Sequence, residues 1–194
     1  MKLLVGYFIC TVLFIGCTNH EKDKTSVVTD EDIYMVVNMV LKDLEVSAKL
    51  DGIEDSYLQD ELTIPSFIAD TVSFKLNKYF SKAEDLDFIQ LQFEARKNFV
   101  LLQDSIKTKK IISKKIIDSF YDEKNDSISR KNQILNNYTK KYGNNFYDRL
   151  SLPIFSKDKN TVLIDVSYFL GGGKTMIYKK HNGKWISDVI VIWT

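Results

Sequence analysis

Apolar residues in this 194-residue chain first form an unbroken run and only later a periodic pattern. Leu3 to Ile15 is almost wholly apolar, follows Met1-Lys2 and closes at Gly16-Cys17. A run this short predicts a secretory signal, because a membrane-spanning helix needs about 20 apolar residues. Thr18 to Val28 is polar and without period, which reads as a tether. Helical periodicity then begins. Ile33, Val36, Val37, Val40, Leu41 and Leu44 fall on one face of a helix that Thr29 or Asp30 caps, with Glu31 and Asp32 at its positive end.

From Asp51 to Phe80 the pattern is weak, and "LTIPSFIADTVSF" reads as extended because Pro65 disfavours helix at Ile64. A second helix is expected from Ser81, with Glu84 completing a capping box and Leu86, Ile89 and Phe93 buried. Isoleucine pairs spaced by five then suggest a short strand over Lys110 to Ile112 and a short helix capped by Ser113. A basic amphipathic membrane helix over Ile106 to Ile117 is the alternative. "DSISRKNQILNNYTKKYG" predicts another helix. Ile128, Leu135, Tyr138 and Tyr142 form its stripe, and Gly143 ends it.

After Leu150 the period falls to two. "SLPIF", "TVLIDVSYF", "TMIYKK" and "WISDVIVIWT" read as strands, with Asn182-Gly183 as a two-residue hairpin turn. Trp185, Val189, Val191 and Trp193 share one face of the last strand and Ile186, Ile190 and Ile192 the other, so it is expected to be covered on both sides. The fold class is α+β: N-terminal and central helices packed on a C-terminal four-stranded antiparallel meander. The chain divides into 1–16 signal, 17–28 lipidated cysteine and tether, and 29–194 a single domain.

Charge adds an asymmetry that the net value of +1 hides. Thr18 to Asp104 carries 9 basic and 18 acidic residues, and Ser105 to Thr194 carries 17 basic and 8 acidic, so the halves stand at −9 and +9. Either the two halves pack side by side and cancel, or the basic half presents a surface to an anionic partner. Nucleic acid does not suit an exported, neutral protein.

"YFLGGGKTMIYKK" ends its glycines in Gly-Lys-Thr, as a phosphate loop does. That loop needs a first glycine at position 168, where Tyr168 stands, and a helix after it, where the chain alternates and turns. Nucleotide binding is therefore set aside, and the glycines read as loop residues with positive φ or a bulge. His20 lies in the tether and His181 beside the hairpin turn, so a zinc site of His and Cys is excluded on inventory and Ser-His-Asp catalysis would rest on His181 alone, which reads as an exposed turn residue. No cofactor and no metal are expected. Glu84, Asp85 and Asp87 suit a helix start, and the acidic run Asp51, Glu54, Asp55, Asp60 and Glu61 reads as a solvated loop rather than a calcium site. Asp165, between Ile164 and Val166, is expected to face solvent. Alternatively it lines a ligand cleft with Tyr168, Gly171, Gly172, Gly173 and Lys174.

"LFIGCTN" resembles the lipobox of bacterial lipoproteins, with Phe14 where Leu or Val is usual. The resemblance implies a lipid on Cys17 and removal of the preceding peptide, Cys10 included. "LSLPIFSKDKNTVLIDVSYFLGGG" followed by "YKKHNGKWISDVIVIW" resembles the C-terminal region of an uncharacterised family of Bacteroidota lipoproteins and secreted proteins. That likeness implies an envelope address, at the outer membrane on its periplasmic face or the cell surface, and brings no activity. The expected role is a membrane-anchored module that binds a protein or small ligand rather than an enzyme. An envelope hydrolase using Asp or Glu, or an immunity-type inhibitor of a secreted toxin, are the alternatives.

Overall fold

The computed structural model describes residues 28–50, 56–66, 79–80, 83–123, 129–143, 146–169 and 171–193. The signal run, Cys17, most of the tether, Asp51, Glu54, Asp55, Ser81 and Ile128 lie outside the described residues. Along the chain come α1 (Asp30–Leu50), β1 (Tyr57–Gln59), α2 (Ala83–Arg96), β2 (Ile111–Ile112), α3 (Lys114–Asp118) and α4 (Arg130–Tyr142). These are followed by β3 (Tyr147–Leu150), β4 (Ile154–Phe155), β5 (Thr161–Tyr168), β6 (Gly173–His181) and β7 (Lys184–Trp193).

Local chemistry sets the helix starts. Thr29 accepts from Asp32 N–H through Oγ1 while Asp32 accepts from Thr29 N–H through Oδ2, a reciprocal cap at the head of α1. Ser113 caps α3 by accepting from Lys115 N–H, and Ser129 caps α4 by accepting from Asn132 N–H. Gly143, at φ 69, follows the last turn of α4, as the sequence leads one to expect. The apolar face of α1 is buried as its spacing implies: Ile33, Val36, Val37, Val40 and Leu41 are wholly enclosed. Each such side chain contributes about 1.5–3 kcal/mol relative to exposure. Arg96, at the end of α2, ties the two helices by pairing with Asp30 at 2.6 Å and donating to the Val28 carbonyl.

The sheet departs from a four-stranded meander. It has seven strands in the order β2-β1-β3-β5-β6-β7, with β4 also paired to β5. β5, β6 and β7 are consecutive and antiparallel, as expected. Beyond β5, however, β3 adds antiparallel, and β1 and β2 then add in parallel. These three short strands have too few residues to show a period of two by themselves. Only long-range pairing makes them strands, such as Leu58 against Ile111 and Asp148.

Alternation along these strands sorts their residues onto two faces. Leu58 and Leu150 enter a large core shared with α1, α2 and β4–β6. Tyr147, Tyr57 and Ile112 enter a second, smaller core with Ile117, Tyr138 and Phe169. α1 and α2 thus serve one face and α4 the other.

The last strand corrects a second expectation. β7 is not covered on both faces; Ile186 is 57% and Ile192 76% exposed, and only Trp185, Ile190 and Trp193 are half-buried. It is the outermost strand, and a register shift opposite Thr175/Met176 inserts one extra residue at Ile190. That bulge flips the alternation. Trp185 pairs with Lys180 and Trp193 with Gly173, so the two tryptophans lie on opposite faces.

Candidate functional site

α4 and β3 meet around a depression of about 460 Å³ lined by Arg130, Lys131, Ile134, Tyr147, Arg149, Phe169 and Gly171. Each wall has a local cause. Tyr147 and Arg149 are two apart on β3 and so share the face that α4 covers. Arg130 and Ile134 are one helical turn apart at the start of α4. Phe169 and Gly171 come from the glycine loop, which folds back through Gly171 N–H to the Tyr168 carbonyl and Tyr168 N–H to the Gly172 carbonyl. Gly171 and Gly172 have φ of 116 and 72, where only glycine sits without strain. A Cβ at Gly171 would stand 3.6 Å from Lys131 Nζ, so the missing side chain keeps this rim low.

The floor is aromatic. The Tyr147 and Phe169 rings have centroids 4.6 Å apart, and Tyr138 lies 5.3 Å from Tyr147 and 5.2 Å from Phe169. Burial pushes the Tyr147 and Tyr138 hydroxyls above the ordinary phenol range, Tyr138 strongly, so both are neutral donors at neutral pH. Positive charge stands above that floor. Arg130 reaches Asp118 at 3.1 Å and lies over the Tyr121 ring, with its side chain 61% exposed. Arg149 differs. Its Nε is buried and has no hydrogen-bond partner among the described residues. Leaving such a donor unmet costs about 1–3 kcal/mol.

Of the residues picked from sequence, Gly171 alone belongs to this site. Asp165 faces neither solvent nor the cleft proposed for it. It is 3% exposed, and its carboxylate accepts from Ser66 N–H at 2.6 Å and Thr175 Oγ1 at 2.6 Å. It is a buried tie between β5, β6 and the segment before residue 67. Tyr168 and Lys174 pair with Asp148 and Val166, on the sheet face away from Arg149 and Ser167. Gly172 is half-buried in the loop. Gly173 is a packing glycine, since a Cβ there would fall 2.3 Å from the Val166 carbonyl oxygen and 2.6 Å from the Trp193 ring. Cys17 lies outside the described residues.

Sequence reading passed over Arg149, Arg130, Lys131 and Tyr147. The signal was present in "FYDRL", where an arginine two residues from a tyrosine shares its face if the segment is a strand.

A second depression, of about 340 Å³, is lined by Ser56, Tyr57, Gln103, Lys107, Thr108, Lys109 and Lys110. Within it Lys109 Nζ donates to Asp148 Oδ2 at 2.6 Å and to Ser56 Oγ, and Ser56 donates to Asp148 at 3.1 Å. A serine beside a lysine invites a hydrolytic reading. The lysine donates toward the serine oxygen and the serine proton is directed at Asp148, so the pair is not arranged for the lysine to take that proton. Asp148 and Lys109 are each 12% exposed, and the trio clamps β3 to the segments that precede β1 and β2. Among the described residues no group of three His, Cys, Asp or Glu side chains stands close enough to hold a metal ion.

Compared with known protein families, with curated proteins and with solved structures, the chain shows no significant match.

Proposed function

We propose that this chain is a binding module held at a bacterial envelope membrane through a lipid on Cys17, and that it takes an anionic ligand into the depression between α4 and β3. The observation that carries the reading is Arg149, a buried guanidinium donor without an acceptor beside a floor of tyrosine and phenylalanine rings. A carboxylate or phosphate would satisfy that donor with a charge-assisted bond, and Arg130 and Lys131 add positive field at the rim. Tyr147, Phe169 and Ile134 suit a flat or apolar body attached to the anion. The reading is binding rather than catalysis, because Asp165, Asp148 and Asp85 each already accept hydrogen bonds within the fold.

The test is a titration followed by tyrosine fluorescence, with phenyl phosphate and N-acetylphenylalanine as probes and benzyl alcohol as the neutral comparison. Saturable binding of an anionic probe, lost in Arg149→Leu and absent for the alcohol, is the expected outcome. Equal responses to charged and neutral probes, or no saturation by either anion, would remove the site.

A further inference from the structure

The outer edge of β7 carries information that the pocket does not use. β7 ends the sheet, and among the described residues nothing pairs with its free side. It is long, has no proline and is apolar, with Ile186, Val189, Val191 and Ile192 exposed. Proteins usually blunt such an edge by shortening it or placing charges along it. Only two charged residues lie on this strand, Lys184 and Asp188, both exposed, and neither forms an ion pair among the described residues.

The backbone says which groups face outward. Lys180 N–H bonds the Asn160 carbonyl, so Lys180 turns toward β5 and its neighbour Lys179 turns toward β7. Lys179 pairs with Ile186 and Ile177 with Asp188, so Ile186 and Asp188 are bonded inward, and Trp185, Ser187 and Val189 point their backbone groups outward. Of these, Val189 N–H is already taken, at 2.8 Å, by Asp188 Oδ1 of its own chain. Trp185 and Ser187 remain.

We propose that β7 pairs with β7 of a second copy, antiparallel, about a twofold axis at Ile186. This register opposes Trp185 to Ser187 of the copy, using the two outward residues still free between the hairpin turn and the bulge, each pair exchanging two backbone bonds. It also sets Lys184 opposite Asp188 of the copy, twice, so two charges without ion pairs become two cross-strand pairs on one face. Other registers serve less well. An axis at Ser187 needs the occupied Val189 N–H, and an axis at Asp188 puts two carboxylates face to face. The overlap, Lys184 to Asp188 on each side, is short, so the dimer belongs to the weak, transient class of interface.

The test uses the full-length chain in the membrane of the cell that makes it. Ile186→Cys places a thiol on the axis, in a non-hydrogen-bonded pair where Cα atoms approach to about 4.5 Å. Mild oxidation is expected to give a disulfide dimer above the background of the parent chain's Cys10 and Cys17. Ile192→Cys, more exposed but away from the axis, is expected to give none above that background. Adding Lys184→Asp or Asp188→Lys to the Ile186→Cys chain sets like charges opposite and is expected to lower the yield about fivefold or more. Co-expressing those two variants restores opposite charges at both pairs, so a heterodimer of the two is expected at near the original yield. Equal crosslinking at 186 and 192, no crosslink at 186, or failure of the mixed variants to recover it would each overturn the proposal. None of these outcomes touches the Arg149 pocket, whose titration is read separately.

Discussion

Arg149 and Asp165 are the two polar side chains through which residue-scale chemistry separates function from stability. Asp165 is fully engaged, so Asp165→Ala leaves Ser66 N–H and Thr175 Oγ1 without their acceptor. A loss of about 2–3 kcal/mol in unfolding free energy by urea titration is expected. Arg149→Leu should do the opposite, removing an unmet donor and leaving stability unchanged or about 1 kcal/mol higher while anion binding disappears. A variant that binds worse and melts no earlier is the mark of a ligand group. The place of Arg149 was legible only if "FYDRL" is taken as a strand, and that of Asp165 was not legible. Asp165 sits between Ile164 and Val166, and alternation implies an outward face only where one face of the sheet is solvated. β5 is buried on both faces along Val162 to Val166, which removes that premise.

At the scale of elements, the long periodic segments were readable and the short ones were not. The face of α1, the Ser113 cap and the Asn182-Gly183 turn followed from spacing and residue chemistry, and Asn182 and Gly183 both take positive φ; on α4 Tyr138 and Tyr142 pack inward as expected, but beside Ile134 rather than Leu135. β1, β2 and β3 are held by partners far along the chain, and the Lys109–Asp148–Ser56 trio is part of that hold. Removing one member of a largely buried pair strands the other, so Asp148→Ala is expected to cost about 3 kcal/mol in the same urea titration. Other ties are pH-dependent. Lys159 and Thr29 hold the Asp32 carboxyl below its usual range despite the opposing effect of burial, and Lys114 does the same for Asp118. A lowered folded-state pKa gives stability that is present above the unfolded value, 3.8 for these groups, and is lost as pH falls through the lower folded value. Asp32→Asn should therefore flatten the acid limb of a pH–stability curve and leave the neutral-to-alkaline limb in place.

At the scale of the molecule, the two oppositely charged halves of the chain are joined in part by their own charges. Asp32 meets Lys159 at 2.6 Å and Glu61 lies 3.8 Å from Lys114, while Arg130, Lys131 and Arg149 of the basic half gather around the depression. The proposed anchor gives a separate prediction: Cys17→Ser should leave the chain uncleaved, without acyl mass by mass spectrometry and no longer retained with membranes through a lipid. The parallel edge has a further consequence, for the order of events during folding. Tyr57 pairs with Tyr147, ninety positions later, and this pairing seats the first strand among the described residues in the sheet. Closing so long a loop is slow and follows local structure. The β5–β6–β7 meander, whose turns are short, would form first and wait as a template. α1 and β1, although they leave the ribosome earlier, would be the last to find their places.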